Sequence, residues 1–148
     1  MASIAVLAQG TLFKFAPVGA VIGSAVTLPE AIKIGAPNSK FDLLDVTSHD
    51  SSGGFKEYIP GLIDGENATV EANFVPTNAV QIEARVDALN RQKDNMSIIF
   101  PVPSAASPGV GSTLVFAAYF VGWQPTADAG AVLRIAVTAK VTGLQTWS

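Results

Sequence analysis

The amino-acid sequence predicts a mainly β protein that carries one α-helix. Its 148 residues are 49% apolar and include 13 glycines and 9 prolines, a balance typical of short strands joined by many turns. A strict period of two between residues 131 and 143 predicts a strand, with Ile135, Val137 and Ala139 on one face and Arg134 on the other. A chain of this length is expected to form a single domain, residues 1–148, with its own core.

Further strands are predicted where β-forming residues cluster or alternate. The segments are TLFKFA (11–16), AIKIG (31–35), TVEANFVP (69–76), MSIIFPV (96–102) and STLVFAAYFVGWQ (112–124). Residues 1–10, before the first strand, are expected to form an N-terminal arm. Pro37 and Asn38 open an extended inter-strand loop of about residues 37–60, which has a turn-forming tip at Ser51-Ser52-Gly53-Gly54.

One amphipathic helix is predicted over about residues 78–92. Thr77 or Asn78 is placed to cap its N-terminus, and Gln81 stands three residues after Asn78, where it can complete a capping box. Ile82, Val86 and Leu89 recur at i, i+4 and i+7. We therefore expect this apolar stripe to pack on the sheet.

Acidic residues are concentrated in one interval of the chain. Between Asp42 and Glu71, seven acids stand against one base, Lys56, which gives a local charge of −6 in a chain of net charge −3. The interval lacks the Asp-x-Asp-x-Asp-Gly order of a calcium loop, so a solvated or electrostatically functional acidic face is favoured. Only 14% of residues are charged and no basic stripe is present, which argues against tight binding of nucleic acid.

Ser48, His49 and Asp50 include the only histidine and raise the question of a hydrolytic site. In catalytic triads these residue types converge from distant positions, whereas neighbours on a strand point to opposite faces. The chain has no cysteine, which excludes thiol catalysis and thiolate metal sites, and one histidine disfavours a histidine-based metal site. We therefore expect no enzyme activity, no metal ion and no cofactor, and a hydrogen-bonded polar cluster at these positions.

Two runs without charged residues are not expected to cross a membrane. The runs 15–29 and 95–127 are interrupted by prolines and glycines, which break them into short segments. The first cationic side chain is Lys14, so the N-terminus lacks the basic region of a signal peptide, and synthesis in a cytoplasm is expected.

A long ordered pattern resembles a known family. From Ile32 to Pro76 the chain reads IKIGAPNSKFDLLDVTSHDSSGGFKEYIPGLIDGENATVEANFVP, in which a strand ends near a proline and DLLDVTSHDS, GFKEYIPGLIDG and a further strand follow. KVTG, at Lys140 to Gly143, stands near the end of the last strand. Over about residues 10–143 the chain resembles the tail tube proteins of long-tailed bacteriophages with non-contractile tails, the lambda-like major tail protein family.

The resemblance implies a β-sandwich or flattened barrel with one helix on its flank. Six copies would form a ring whose inner sheets join into a continuous β-barrel, and stacked rings would form the tail tube of the virion. The tube would enclose the tape measure protein and let genomic DNA pass transiently into the host, with tail-tip, distal tail and tail terminator proteins as further partners. Synthesis would take place in the host bacterial cytoplasm.

The resemblance also suggests roles for two groups of residues. The loop would reach a neighbouring subunit or ring, and the residues expected to make these contacts are Asp42, Asp45, Thr47, Asp50, Phe55 and Tyr58. Because a basic lumen would hold DNA, a neutral or acidic lumen is expected, with Glu71 and Asp128 as lumen-facing candidates. Open sheet edges would be closed by pairing with neighbours in the ring.

A binding module is the alternative function. A capsid decoration protein or a carbohydrate-binding β-sandwich would be a stable monomer or small closed oligomer with exposed tryptophans around a groove. Trp123 and Trp147 are the candidates, although core or subunit-interface positions are favoured for both. Within the tube class, gene-transfer-agent, secretion-system and bacteriocin tubes use the same subunit physics as a phage tail.

Overall fold

One seven-stranded antiparallel sheet forms the body of the protein. The computed structural model describes residues 8–17, 24–101 and 112–148. The elements in chain order are β1 (Leu12–Pro17), β2 (Val26–Thr27), β3 (Ala31–Gly35), β4 (Ser39–Asp45), a 3₁₀ turn (Ser52–Gly54), β5 (Tyr58–Gly65), β6 (Asn67–Asn73), α1 (Ala79–Leu89), β7 (Lys93–Ile99), β8 (Thr113–Thr126) and β9 (Arg134–Trp147). The sheet runs in the order β2-β1-β7-β8-β9-β6-β3, and β4 pairs with β5 in a separate hairpin.

The sheet is curled, so that strands from its two ends approach each other. β1 contacts β3 although β7, β8, β9 and β6 lie between them in the sheet. Two register shifts in the pairing of β8 with β9 bend these long strands. The expectation of a mainly β fold with one flanking helix is confirmed, and the sandwich or flattened barrel takes the form of a single curled sheet.

The core lies inside the curl because alternate residues of each long strand face inward. In β9, Ile135, Val137 and Ala139 are buried, as the period of two predicts. Phe15 in β1 meets Phe120 in β8 edge to face, with ring centroids 5.3 Å apart. The other large apolar side chains that are almost completely buried are Phe13, Met96, Ile98, Leu114 and Phe116.

The N-terminus of α1 is capped by Asn78, one of the two residues that the sequence offers for this role. The Oδ1 atom of Asn78 accepts hydrogen bonds from the backbone N–H groups of Val80 at 3.0 Å and Gln81 at 3.1 Å. The Gln81 side chain does not complete a capping box. It accepts a hydrogen bond from the Val75 N–H at 2.9 Å and donates one to the Asn73 carbonyl at 2.9 Å, so it fixes the turn between β6 and α1.

The helix turns a different face towards the core from the one that its apolar spacing predicts. Ile82, Val86 and Leu89 point away from the core and are 36%, 43% and 76% exposed. The prediction that this stripe packs on the sheet is therefore wrong. The buried residues of the helix are Gln81, Ala84 and Asp87. Because Ala84 is small, the helix backbone can approach β8 there, and the larger apolar side chains remain outside.

Most of the segment expected to be an extended loop is a β-hairpin. β4 and β5 pair antiparallel, with Leu44 opposite Ile59 and Asp45 opposite Tyr58, and only residues 46–57 connect them. The sequence conceals these strands because apolar residues occur on both of their faces, which removes the period of two. Most of the expected N-terminal arm, residues 1–7, lies outside the described residues.

Candidate functional site

The hairpin formed by β4 and β5 exposes large apolar side chains on both faces. Leu43 and Leu44 are consecutive in β4, so they point to opposite faces, and they are 59% and 51% exposed. In β5, Leu62 is 95% exposed and Ile63 is 71% exposed. A two-stranded hairpin is marginally stable at best when it stands alone in water. The isolated chain therefore leaves both faces of this element without the cover that an apolar surface needs.

The hairpin is fastened to the sheet at its base. A side chain at Gly65 would place its Cβ 2.8 Å from Cγ1 of Val141, so only glycine allows β5 to lie this close to β9. Lys140 donates from Nζ to the Gly65 carbonyl at 2.6 Å and to Asp64 Oδ1 at 3.3 Å. These contacts hold one end of the hairpin, while the rest projects into solvent.

The tip of the hairpin is organised by Thr47. Its Oγ1 accepts a hydrogen bond from the Glu57 N–H at 2.9 Å, and its N–H donates to Asp45 Oδ1 at 2.9 Å. Hydrogen bonds from the Thr47 side chain and backbone hold the pKa of Asp45 below its ordinary value. Ser51 Oγ donates to Glu57 Oε2 at 2.9 Å, and glycines 53 and 54 adopt positive φ angles of 67° and 72°. The tip is a structured turn.

The six residues expected to contact neighbouring subunits all lie on the hairpin. Phe55 is 76% exposed and Tyr58 is 49% exposed, so both side chains are accessible. Asp42 is exposed in β4, and Asp50 is exposed at the tip. The other two expected residues are Asp45 and Thr47, whose hydrogen bonds lie within the hairpin. Roles for the six in assembly stay predictions.

Ser48, His49 and Asp50 occupy consecutive exposed positions at the tip. The Ser48 N–H donates to Ser51 Oγ at 3.0 Å, and Ser48 Oγ accepts from the Asp50 N–H at 3.3 Å. These bonds stabilise a turn. In the part of the chain that the structure describes, no three His, Cys, Asp or Glu residues gather as metal ligands would. The same residues include no helix of the length and hydropathy needed to cross a membrane.

Of the two lumen-facing candidates, one lies in a strand and the other in a turn. Glu71 is exposed on the outward face of β6, where Lys33 of β3 and Ala136 of β9 are its register partners. Asp128 is exposed in the turn between β8 and β9, and its carbonyl accepts a hydrogen bond from the Ala131 N–H at 3.1 Å. Lumen-facing roles for Glu71 and Asp128 stay predictions.

The tryptophans do not frame a common groove. Trp147 is 60% exposed and stacks on Phe100 with ring centroids 5.8 Å apart, at the edge of a groove of about 930 Å³ between the start of β1 and β3. Trp123 packs partly buried against the core and lines a different groove, between α1 and β8. This separation is unlike the arrangement expected for a carbohydrate-binding module.

Sequence reasoning missed several exposed apolar residues. Leu62 and Ile63 belong to the segment IPGLIDG, in which consecutive apolar residues follow a Pro-Gly pair, and such a run in a polar loop is the signal that could have found them. Leu89 belongs to the helix stripe that is expected to pack on the sheet, and Val121, 59% exposed, lies in a segment that is predicted only as a strand. Apolar residues at a protein interface and in a core give the same sequence pattern.

The chain has the fold of tail tube subunits. No protein-family profile and no curated protein matches the sequence. Among solved structures, it is similar to a chain of the anti-feeding prophage baseplate, with a TM-score of 0.75 and 14% identity over 100% of this chain and 97% of that chain. It is also similar to the SPP1 tail tube protein, with a TM-score of 0.74 and 15% identity over 97% of this chain and 79% of that chain.

A third similar structure is a chain from the tail of an empty gene transfer agent particle, solved with sixfold symmetry. Its TM-score is 0.75 at 15% identity, and the match covers 97% of this chain and 99% of that chain. At these identities the likeness establishes the fold.

Proposed function

We propose that this protein is a structural subunit that assembles with copies of itself into a tube. The observation that carries the proposal is the hairpin of β4 and β5, which exposes apolar side chains on both faces of an element that is marginally stable at best without cover. The tail-tube fold supports it, because chains of similar structure come from the SPP1 tail tube, a gene transfer agent tail and a prophage baseplate. In such an assembly, neighbouring copies of the same chain would cover the apolar faces of the hairpin.

The finer proposal is the tail tube of a long-tailed phage with a non-contractile tail, of the lambda-like family. Hexameric rings with a continuous inner β-barrel would stack around the tape measure protein and later conduct DNA. Tail-tip and terminator proteins would bind the two ends of the tube. The residue pattern from Ile32 to Pro76 supports this choice, and the likeness to the SPP1 tail tube is compatible with it.

Electron microscopy of the purified protein tests the proposed function. The protein is concentrated and aged, examined by negative stain, and measured by native mass spectrometry in the same sample. Hollow tubes or rings of six copies are expected. A protein that stays monomeric at high concentration, with and without a tail-tip initiator, would contradict the proposal.

Deletion of Ser48–Gly54 is expected to abolish tube elongation and leave a folded subunit. The deletion removes the tip but retains β4, β5 and the hydrogen bond between Thr47 and Glu57. Circular dichroism and thermal unfolding report the fold, and negative stain reports the tubes. A matched control replaces the same seven positions with a Gly/Ser linker, which keeps the length of the connection and removes its side chains. Normal tubes from the deletion variant would exclude the tip from assembly.

Glu71→Lys is expected to leave tubes intact and to slow DNA ejection. Glu71 is the one acid on β3, β6 and β9, whose charged residues otherwise are Lys33, Arg134 and Lys140. If this face lines the channel, a reversed charge would attract the DNA backbone. Ejection is followed by the release of labelled DNA from virions that carry the variant.

A charge-swap control distinguishes the effect of charge on the channel wall from the effect of charge on the pairing of β3 with β6. Glu71→Lys alone places two lysines opposite each other in register, which weakens the pairing of β3 with β6. The double variant Lys33→Glu/Glu71→Lys restores opposite charges and the original net charge, so normal ejection is expected. Unchanged ejection in the single variant would remove Glu71 from the channel.

A further inference from the structure

The outward stripe of α1 borders a groove that the fold leaves open. The groove lies between α1 and β8 and has a volume of about 380 Å³. Its rim carries Leu89 and Val121, which are 76% and 59% exposed, and its floor includes Phe120 and Trp123. Val86, 43% exposed, extends the apolar surface along the helix. The groove is therefore an apolar depression that continues onto an uncovered helix face.

The hairpin of the same chain carries exposed apolar side chains of its own. Leu62, 95% exposed, and Phe55, 76% exposed, project from it as apolar side chains without cover. The hairpin is fastened to its own subunit through Gly65 beside Val141 of β9, whereas the groove lies between α1 and β8. The exposure of both surfaces in one chain shows that they do not cover each other within it. Each surface is accessible to a second copy.

The charges of the two surfaces are opposite in sign. Between residues 39 and 65 the hairpin holds five acids and two lysines, a net charge of −3. Along the helix and the turn that follows it, from residue 79 to residue 93, the exposed charged residues are Glu83, Arg85, Arg91 and Lys93, a net charge of +2. Arg85 itself lines the groove. Charge complementarity of this kind selects one partner surface over others and orients it.

We propose that the groove between α1 and β8 binds the β4–β5 hairpin of a neighbouring copy of this chain. The inference rests on the proposed self-assembly and names the two surfaces that meet. The contact joins two different surfaces, so each copy both offers a hairpin and accepts one. Such a heterologous contact either closes into a ring or propagates along a filament.

Cysteine cross-linking tests this contact directly, since the natural chain has no cysteine. One sample carries Leu89→Cys at the groove, and a second, isotope-labelled sample carries Leu43→Cys or Leu44→Cys, which probe the opposite faces of the hairpin. The samples are mixed at concentrations that permit association, treated with a short bismaleimide and analysed by peptide mass spectrometry. Val132→Cys is the matched control, because Val132 is 61% exposed and lies outside both surfaces.

A cross-link from position 89 to one of the hairpin positions is expected, with at least a tenfold higher yield than to position 132. Cross-links that join position 89 chiefly to itself, or only background yield to the hairpin, would overturn the proposal. If tubes form without the expected cross-link, the contact is wrong and the tube function stands. If the cross-link forms in small oligomers that never become rings or tubes, the contact stands and the tube function fails.

Discussion

Replacement of Asp94 by asparagine is expected to stabilise the protein at about pH 8 by about 2–4 kcal/mol and to flatten the pH dependence of its unfolding. Asp94 in β7 is completely buried, and no group of the described chain donates a hydrogen bond to either oxygen of its ionised carboxylate. It faces Asp87 of α1, which is 6% exposed. Burial, together with the negative charges of Asp87 and Glu83, raises the pKa of Asp94 to about 7.

The direction of the effect follows from proton binding. In the unfolded chain an aspartate has a pKa of about 3.9, so between about pH 4 and pH 7 the native state holds a proton that the unfolded state has released. Stability is therefore greatest at the acidic end of this window, decreases as the pH rises through it, and levels off above pH 7. Asparagine is neutral at every pH, and its amide can donate a hydrogen bond to Asp87 in place of the protonated Asp94 carboxyl.

The residues on the neighbouring strands do not add a charge to this pair. In the register of the sheet, Asp94 stands opposite Pro17 of β1 and Ala118 of β8, neither of which titrates. Urea unfolding of the unassembled subunit from about pH 4.5 to 8.5 measures the effect. Glu71→Gln, which removes an exposed acid, is the control and should follow the wild-type curve. A wild-type stability that is constant over this range would show that Asp94 is not held protonated.

Phe15→Ala is expected to destabilise the subunit by about 3–5 kcal/mol and to lower its melting temperature by roughly 10 °C. The ring is fully buried and packs edge to face on Phe120, so its removal leaves a cavity between β1 and β8. Phe41→Ala makes the same chemical change on the hairpin, where the ring is 53% exposed. We expect it to change the free energy of unfolding by less than about 0.5 kcal/mol.

The two phenylalanine variants separate folding from assembly. Urea unfolding at low protein concentration gives the stability of each subunit, and light scattering gives the concentration at which tubes appear. Phe41→Ala should raise that concentration severalfold without lowering the melting temperature. Equal destabilisation by the two variants would mean that the hairpin belongs to the core of the subunit, and unchanged assembly of Phe41→Ala would exclude this ring from the interface.

The strands of the sheet could be predicted because each obeys one local rule. In β9 the period of two marks the buried face, and in β6 the alternation around Val70 does the same. The cap at Asn78 was predictable for a similar reason, since it depends on atoms only two and three residues away.

The orientation of α1 could not be predicted, because the helix carries apolar residues both on the face that packs on the core and on the face that points outwards. Ala84 faces the core, and Val86 and Leu89 face outwards. Hydrophobic periodicity ranks the outward face as the more apolar, and it does not distinguish a core from a surface between subunits. The hairpin was concealed for the same reason, since both of its faces are apolar. The buried Asp94 was missed because the strand was predicted to begin at Met96, whereas β7 begins at Lys93, and an aspartate outside a predicted strand is ordinarily assigned to the surface.

The acids of the hairpin have a consequence for the subunit before it assembles. In a free subunit the apolar hairpin of β4 and β5 is uncovered, and an uncovered apolar hairpin promotes non-specific aggregation in a crowded cell. Every such hairpin carries the same negative charges, at Asp42, Asp45, Asp50 and Glu57. Two hairpins that meet therefore repel each other at contact distance. The negative charges of these side chains therefore oppose aggregation of free subunits through their hairpins. Free subunits can then reach a high concentration without association between their hairpins. The apolar residues of the hairpin remain available to a partner surface of opposite charge.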